Sequence, residues 1–224
     1  MKRKSLHFLQ KQKYKKKLIC LTAYTKSIAK IVDDYVDIIL IGDSLGSVIY
    51  GMENTHKITL DTIIQHSISV KKGIKNSLLV VDMPKGTYKN PLQAKKNAKM
   101  ILKKTNCDAV KIESNNKNFK IIKEISKAKI PVMGHIGYTP QFKKKFKVEG
   151  KNIKEVRRLI KEAILIEKAG AFSIVLECIT PNIAKKITGI LKIPTIGIGS
   201  SSYCDGQILV TDDILGLSGF YPKF

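Results

Sequence analysis

Short runs of branched apolar residues recur along the chain, and each run ends abruptly at a glycine or a polar residue. Continuous apolar runs of this length are typical of strands buried on both faces, as in a parallel sheet. Longer segments lie between them, and there apolar residues return every three or four positions, the period of an amphipathic helix. The pattern predicts eight strands, at 18–22, 38–41, 78–81, 109–112, 132–135, 173–176, 194–199 and 208–211.

Helix signals fall between most of these strands. Residues 1–17 predict a basic helix at the bottom of the domain, and Thr59 is expected to cap a later helix. Pro91 should lie in the first turn of another, and Gly170 should end a long helix over 153–168. Strands that alternate with helices predict an α/β protein closed as a (β/α)8 barrel, also called a TIM barrel. A doubly wound open sheet is the alternative, but it would gather polar residues at one switch point rather than at strand ends all along the chain.

The length and composition predict one domain over residues 1–224. Barrels of this type usually take about 250 residues, so this one would be compact and short at its C-terminus. No apolar run is long enough to cross a bilayer, and the basic start lacks the apolar stretch of a secretory signal. Four widely spaced cysteines show no zinc-site spacing, so we expect reduced thiols in a cytoplasmic protein.

Basic residues outnumber acidic ones by 41 to 18, which gives a formal net charge of +23. Such an excess attracts polyanions, and lysines are densest at 15–17 and 143–145. They are spread over nearly every predicted helix, however, and are not interleaved with the aromatic residues that a stacking surface needs. We therefore favour solvated helix faces and expect no nucleic-acid partner.

Most of the predicted strands end at an ionisable residue. In a (β/α)8 barrel the carboxyl ends of all strands face one mouth, so these side chains would converge there. Carboxylates at close range raise one another's pKa, and a hard divalent cation such as Mg²⁺ relieves their repulsion. For any single acid alone, we favour a structural role as a capping or ion-paired residue. The residues concerned are Asp43, Asp82, Glu113, His135 and Glu177.

Two further polar residues, Lys111 and Ser44, extend this candidate site. Lys111 precedes Glu113 by two positions and therefore lies on the same face of its strand. It would bind a substrate carboxylate or keto oxygen, or serve as an ion-pair partner for the acids. His135 would orient or protonate a substrate oxygen near neutral pH, or be a structural histidine. Ser44 is a candidate hydrogen-bond donor beside Asp43.

Seven motifs follow one another along the chain: LTAY at 21–24, GDSLG at 42–46, VDMP at 81–84, VKIE at 110–113, GHIGYTPQ at 134–141, LEC at 176–178 and DGQILV at 205–210. Together they closely resemble the ketopantoate hydroxymethyltransferase (3-methyl-2-oxobutanoate hydroxymethyltransferase) family, and the resemblance spans residues 5–224. It implies a barrel of the phosphoenolpyruvate mutase and isocitrate lyase type. It also implies a homo-oligomer, with the family's ring-shaped decamer expected.

The resemblance further implies an activity in pantothenate and coenzyme A synthesis. A hydroxymethyl group would pass from 5,10-methylenetetrahydrofolate to 3-methyl-2-oxobutanoate, giving 2-dehydropantoate through a Mg²⁺-stabilised enolate. Asp43, Asp82 and Glu113 match the family's Mg²⁺ positions, and Asp43, Ser44, Asp82 and Lys111 match those that line the oxo-acid. Glu177 is similar to the family's proton acceptor, and His135 is the second catalytic candidate.

The chain departs from the family pattern at Lys85, at 114–116 and in the basic loop 142–150. Two other functions stay open. One is a related Mg²⁺-dependent barrel that forms or cleaves a C–C bond of another oxo-acid without folate. The other is a basic, catalytically reduced barrel that binds nucleic acid; the charges gathered at one mouth argue against it, because an idle site has no need for such costly groups.

Overall fold

The computed structural model describes residues 3–115, 118–143 and 145–219. Eight parallel strands form a closed barrel in chain order, and the last strand pairs with the first. The predicted (β/α)8 barrel is therefore confirmed, and the open doubly wound sheet is excluded. The strands are β1 Leu18–Thr22, β2 Ile38–Ile41, β3 Leu78–Asp82, β4 Ala109–Glu113, β5 Val132–Gly137, β6 Ser173–Glu177, β7 Thr195–Ile198 and β8 Gly206–Leu209.

Helices lie between the strands and around the barrel. Those that the structure describes are α1 Leu6–Lys11, α2 Lys26–Val32, α3 Leu45–Val48, α4 Leu60–Lys71, α5 Pro91–Thr105, α6 Phe119–Lys127, α7 Ile153–Lys168, α8 Pro181–Ile190 and α9 Thr211–Ile214, with a 3-10 helix at Thr55–Lys57. The three residues predicted at helix ends are confirmed in those positions. Thr59 caps α4 by accepting from the N–H of Thr62 at 3.1 Å, Pro91 lies in the first turn of α5, and Gly170 follows α7 with a φ of +94°.

Two apolar clusters stabilise the barrel, because successive strand residues point to opposite faces. Ile39 and Leu79 belong to the larger cluster, which also contains buried residues of the helices. Ile38 and Leu78 belong to the smaller one, which Leu9 of α1 joins. Helix α1 thus packs against the barrel interior, as expected for a helix at the bottom of the domain. The smaller cluster comprises Leu9, Leu18, Cys20, Ile38, Leu40, Leu78, Val80, Ala109, Met133, Phe172, Val175, Ile196 and Ile208.

The same two-residue period explains how polar groups enter the barrel. Val80 belongs to the smaller cluster, so Asp82, two residues on, points to the same face. In each of four neighbouring strands, the side chains that point into the barrel are therefore apolar along the strand and ionisable at its carboxyl end. The inward sequences are Val80 then Asp82, Ala109 then Lys111 and Glu113, Met133 then His135, and Val175 then Glu177.

The N-terminal helix is much shorter than the predicted span of 1–17. Within the described residues it covers only Leu6–Lys11, because the side chain of Ser5 caps its start and the chain turns after Gln12. Tyr14 then adopts a φ of 62°, a left-handed conformation that no α-helix continues through. Residues 1 and 2 lie outside the described residues.

The predicted position of the eighth strand, 208–211, is wrong by two residues. The strand begins at Gly206, which pairs with Leu18 of β1 and approaches it so closely that a Cβ would lie 2.6 Å from the Leu18 carbonyl oxygen. It ends before Thr211, whose N–H donates to Oγ1 of Thr22 at 3.1 Å as α9 begins. The segment after β2 contains the short helix α3.

Two carboxylates at the amino ends of the strands, Asp205 and Asp37, have structural partners. Asp205 accepts from Nζ of Lys13 at 2.8 Å and from the N–H of Thr195 at 2.9 Å. Asp37 accepts from the N–H of Ile19 at 2.9 Å. Their oxygens satisfy backbone groups at the start of strands, so this end of the barrel serves stability.

All four cysteines are buried and free. Across the part of the chain that the structure describes, no helix is both long and apolar enough to pass through a bilayer.

Candidate active site

The carboxyl ends of the strands surround a cavity of about 600 Å³, a volume that includes its open mouth. Apolar side chains line part of its wall, among them Leu40, Val175, Ile198 and Ile208. The structure brings together every site residue predicted from the sequence. Those lining the cavity are Asp43, Ser44, Asp82, Lys111, Glu113, His135 and Glu177.

A buried ion pair joins two neighbouring strands inside this cavity. Nζ of Lys111 donates to Oδ2 of Asp82 at 2.5 Å, and these side chains are 6% and 0% exposed. Burial raises the pKa of Asp82, and Lys111 opposes that shift. Burial alone would lower the pKa of Lys111, but the carboxylates of Asp82, Glu113 and Asp43 outweigh it and raise the pKa. Lys111 therefore keeps its charge among the acids, and it is an ion-pair partner as well as a lining residue.

His135 lies between two carboxylates. Its Nε2 atom is 3.1 Å from Oε2 of Glu177, and its Nδ1 atom is 3.8 Å from Oε1 of Glu113. Burial lowers the pKa of His135, although the hydrogen-bonding position of Glu177 opposes the shift. The imidazole is therefore neutral near pH 7, so one ring nitrogen carries a proton and the other is an acceptor.

Glu113 is fixed by residues to which the sequence analysis gave no role. The N–H of Gln141 donates to Oε2 of Glu113 at 3.0 Å. The Gln141 side chain is held in turn, because the hydroxyl of Tyr88 donates to its Oε1 at 2.5 Å and its Nε2 donates to the carbonyl of Met83 at 3.1 Å. Burial raises the pKa of Glu113 well above its usual range, against the opposing effect of Lys111. Gln141 ends the quoted GHIGYTPQ motif, but nothing in the sequence marks Tyr88.

A hydroxyl contact with a buried tyrosine also fixes Ser44. Its hydroxyl lies 2.8 Å from the hydroxyl of Tyr24, a buried residue of the LTAY motif. Burial raises the pKa of Tyr24, so its phenol stays protonated and available for this hydrogen bond. The contact fixes the position of Ser44 at the cavity wall.

Two buried carboxylate oxygens at this site lack partners among the described residues, namely Oδ2 of Asp43 and Oδ1 of Asp82. A buried charged oxygen without a partner is costly unless a cation or another donor meets it. Over the described ranges, no three His, Cys, Asp or Glu side chains form a ready-made metal-binding group. Magnesium, however, usually binds one or two carboxylates and completes its shell with waters and substrate oxygens. The donor set at this site therefore fits Mg²⁺.

A wider groove of about 980 Å³ adjoins the cavity, and Thr55 and Pro140 line both. Lys85, one of the departures from the family pattern, lies near this rim, with Nζ 3.2 Å from Nδ1 of His56. The second nitrogen of His56 lies 2.9 Å from the carbonyl oxygen of Pro140. Lys85 therefore contributes positive charge near the groove.

The basic run at 143–145 does not form a uniformly free surface. Nζ of Lys143 donates to Oε1 of Glu149 and to the carbonyl of Gly137, both at 2.5 Å. Lys144 lies outside the described residues, and Lys145 is exposed. At least one lysine of this run thus has an internal partner.

A parallel eight-stranded barrel, with acids, a lysine and a histidine gathered at the carboxyl ends of its strands, defines a (β/α)8-barrel enzyme. Among solved structures, it is similar to phosphonopyruvate hydrolase complexed with oxalate and Mg²⁺, with a TM-score of 0.72 and 12% identity over 96% of this chain and 83% of that one. The chain belongs to the family described as ketopantoate hydroxymethyltransferase, whose family model matches residues 3–224.

Named relatives agree with this assignment. The 3-methyl-2-oxobutanoate hydroxymethyltransferase of Pelagibacter ubique is 53% identical over 224 residues, covering 100% of this chain and 87% of that protein. The enzyme of that name from Clostridium beijerinckii is 51% identical over 230 residues, covering 100% of this chain and 84% of that protein. The chain is accordingly a hydroxymethyltransferase.

The barrel type is confirmed by a second solved structure, 2,3-dimethylmalate lyase, a member of the phosphoenolpyruvate mutase/isocitrate lyase superfamily. Its TM-score is 0.69 with 14% identity, and the match covers 95% of this chain and 82% of that one. At such low identity the likeness concerns the fold alone.

Proposed function

We propose that this enzyme transfers a hydroxymethyl group from 5,10-methylenetetrahydrofolate to 3-methyl-2-oxobutanoate, giving 2-dehydropantoate for pantothenate and coenzyme A synthesis. The observation that carries the proposal is the meeting, in one cavity, of the Lys111 and Asp82 ion pair with the adjacent His135 and Glu177. The first pair suits an anionic oxo-acid, and the second suits removal of a proton.

Binding of the oxo-acid follows from charge and polarity. Lys111, whose pKa is raised by the surrounding acids, supplies the positive charge for the substrate carboxylate. Ser44 donates a hydrogen bond to a substrate oxygen, and Asp43 and Asp82 face the same region of the cavity. Apolar neighbours such as Val175 and Ile198 accommodate the branched carbon chain, since they line the remaining wall.

Asp43 and Asp82 would hold Mg²⁺ through their unpartnered oxygens, with Glu113 as the third carboxylate of the proposed set. When bound, the ion supplies Lewis-acid polarisation of the oxo-acid carbonyl, which makes the proton on C3 easier to remove. Gln141 keeps Glu113 oriented toward this region by its backbone N–H.

Glu177 takes the C3 proton onto a carboxylate oxygen. Its side chain is 18% exposed, whereas Glu113 on the other side of His135 is 1% exposed, so Glu177 is the more accessible of the two. Neutral His135 orients it through Nε2. The resulting C3 carbanion forms a bond to the one-carbon unit as the first of that carbon's two bonds to folate nitrogens breaks. Water then displaces the second nitrogen and supplies the hydroxyl oxygen. The protons released from C3 and from water end on the two nitrogens, which gives tetrahydrofolate.

The groove beside the cavity is the proposed place for the folate, because Thr55 and Pro140 connect the two spaces. A cytoplasmic location and a homo-oligomer, with the family's decamer expected, stay predictions.

Proton NMR of 3-methyl-2-oxobutanoate in D₂O, with the enzyme and Mg²⁺, tests the proposal. We expect Mg²⁺-dependent loss of the C3 proton signal, followed by appearance of 2-dehydropantoate once methylenetetrahydrofolate is added. Exchange without product would favour an oxo-acid lyase or aldolase that does not use folate. Absence of exchange would contradict the proposal and favour the nucleic-acid-binding alternative.

A further inference from the structure

The backbone is unusual immediately after Glu177. Cys178 adopts a φ of 51° and is buried, with 1% of its surface exposed. Non-glycine residues seldom occupy this left-handed region, and they stay there only when surrounding contacts hold them. The direction in which Glu177 enters the cavity depends on this bend, because the two residues are adjacent.

Backbone hydrogen bonds hold the bend from two loops. On one side, the N–H of Glu149 donates to the carbonyl of Cys178 at 2.8 Å, and the N–H of Thr180 donates to the carbonyl of Glu149 at 2.9 Å. On the other side, the N–H of Cys178 donates to the carbonyl of Ile198 at 2.9 Å, and the N–H of Ile179 donates to Oγ of Ser200 at 3.1 Å. Glu149 is thus one of the residues through which the loop after β5 contacts this bend, and the N–H of Tyr138 in the same loop donates to the carbonyl of Glu177 at 2.8 Å.

The side chain of Glu149 is fixed by two cations. Its Oε1 accepts from Nζ of Lys143 at 2.5 Å, and its Oε2 accepts from Nη2 of Arg158 on α7. Arg158 also donates to Glu162 at 3.2 Å. Glu149 is only 5% exposed, so its charge needs both partners to stay buried. We call these three residues, Lys143, Glu149 and Arg158, the ion cluster.

None of the ion cluster lines the catalytic cavity, although Lys143 lines the adjoining groove proposed for the folate. Exchange is therefore measured without folate. The ion cluster's link to the chemistry is mechanical, since the cluster fixes the side chain of Glu149, and the N–H of Glu149 donates to the carbonyl of Cys178, the residue that follows Glu177. Lys143 adds a second link by donating to the carbonyl of Gly137, the residue opposite Glu177 in the pairing of β5 with β6.

We propose that the ion cluster is a positioning device that keeps Cys178 in its left-handed conformation and so holds the Glu177 carboxylate beside His135. The inference rests on the proposed role of Glu177 as proton acceptor. Lys143, Glu149 and Arg158 are therefore positioning residues, and they should affect proton removal more than substrate binding.

Glu149→Gln is the primary test, because it removes the charge and keeps the size of the side chain. In D₂O with Mg²⁺ and no folate, C3 exchange should slow about 10- to 100-fold, while oxo-acid affinity measured by calorimetry should stay within about twofold. Glu124→Gln is the matched control, since that carboxylate pairs with Lys127 on the exposed face of α6. It should leave both quantities unchanged.

Substitutions of Cys178 distinguish a loss of Glu177 positioning from a general loss of folding. Glycine adopts the left-handed region without strain, whereas alanine carries the same strain as cysteine. In the Glu149→Gln background, Cys178→Gly should therefore recover most of the lost exchange rate, and Cys178→Ala should recover none. Equal behaviour of the two double variants would overturn the inference.

A measurement that does not involve substrate tests the backbone conformation directly, even if C3 exchange cannot be observed. Amide hydrogen exchange over residues 176–180, followed by mass spectrometry, should be faster in Glu149→Gln than in the wild type. Lys143→Met, a milder change at a half-buried position, should act in the same direction if Glu149→Gln does not fold. A wild type without C3 exchange would refute the role of Glu177, yet faster amide exchange in the variant would still support the role of the ion cluster in holding Cys178. Unchanged amide exchange and unchanged C3 exchange would refute the positioning proposal itself.

Discussion

His135 stands between two carboxylates that differ sharply in accessibility. Its Nε2 atom lies 3.1 Å from Oε2 of Glu177, which is 18% exposed, while Nδ1 faces Glu113, which is 1% exposed. Since burial lowers the pKa of His135, the ring has a single proton to donate. Placing that proton on Nε2 orients Glu177 without neutralising it, which is what a proton acceptor requires.

Glu177→Gln should abolish C3 deuterium exchange while leaving oxo-acid and Mg²⁺ binding nearly intact. The amide fills the same space and presents an oxygen toward Nε2 of His135, which lies 3.1 Å from Oε2 of Glu177, but it cannot take up a proton. Calorimetric titration measures binding, and proton NMR measures exchange. Loss of binding in this variant would contradict the assigned role, because the binding groups on the other strands are untouched.

The buried pair of Lys111 and Asp82 should show strong coupling. Lys111→Met leaves the Asp82 carboxylate without its cation, and we expect a loss of about 3–5 kcal/mol in the free energy of unfolding. Asp82→Asn in the same chain removes the orphaned charge, so the double variant should regain much of that stability. Urea titrations measure both effects.

Activity should not follow stability in that series. The double variant has neither the cation for the substrate carboxylate nor the negative charge of the metal-binding carboxylate, so it should stay inactive although folded. Recovery of exchange activity together with stability would show that this ion pair has only a structural role.

Tyr88→Phe should weaken the site through Gln141. The change removes the hydroxyl that donates to Gln141 at 2.5 Å in a fully buried position, and an unpaired buried acceptor costs about 1–3 kcal/mol. Because the N–H of Gln141 holds Glu113, Mg²⁺ affinity should fall as well. Tyr35→Phe, at a residue that is 75% exposed, is the matched control and should change neither quantity. Equal effects in the two variants would contradict the anchoring role of Tyr88.

Asp33 should contribute stability that depends on pH. Burial alone would raise the pKa of Asp33, but the backbone N–H groups of Ser77, Lys75 and Asn76, at 2.8 to 2.9 Å, outweigh burial and lower it. A lowered native pKa means that the contribution is complete above the ordinary carboxyl pKa of about 4 and is lost as the pH falls through the native value.

Asp33→Asn should therefore cost about 2 kcal/mol at neutral pH, and its difference from the wild type should narrow at acid pH. Urea unfolding at pH 7 and near pH 3 measures this difference. Asp34→Asn, at the exposed neighbouring position, is the control and should stay within about 0.5 kcal/mol of the wild type. A difference between wild type and Asp33→Asn that does not change with pH would refute the assignment.

The sequence was sufficient for most of the strands and for the convergence of the polar residues at one mouth, because both follow from local patterns. Apolar runs mark buried strands, and in a closed parallel barrel every strand end faces the same mouth, so Asp82, Lys111 and Glu177 had to converge. The register of β8 was not readable, because Gly206 belongs to the strand for a reason that lies on β1, its close approach to Leu18.

The residues that hold the site from outside the cavity could not be predicted from the sequence for a similar reason. Tyr88 and Glu149 act through partners distant in sequence, Gln141 in one case and Arg158 with Cys178 in the other. No periodicity or spacing encodes such contacts, since each depends on where a loop crosses the barrel mouth. The shortness of α1 has a local origin, the left-handed Tyr14, but the composition of that segment gave no turn signal strong enough to predict it.

Gly137 should be among the least replaceable residues of the chain. It ends β5 with a φ of +99°, and a Cβ there would lie 2.0 Å from the carbonyl oxygen of Glu177. Gly137→Ala should therefore destabilise the fold by about 3 kcal/mol or more and displace Glu177, with loss of C3 exchange.

Gly189→Ala is the contrasting change, because that glycine lies in α8 and a Cβ there would meet no atom of the described residues within 4 Å. It should raise the free energy of unfolding by up to about 1 kcal/mol, because alanine favours a helix more than glycine does. Urea titrations of both variants should consequently show shifts of opposite sign, and similar shifts would contradict the close approach of β5 to Glu177.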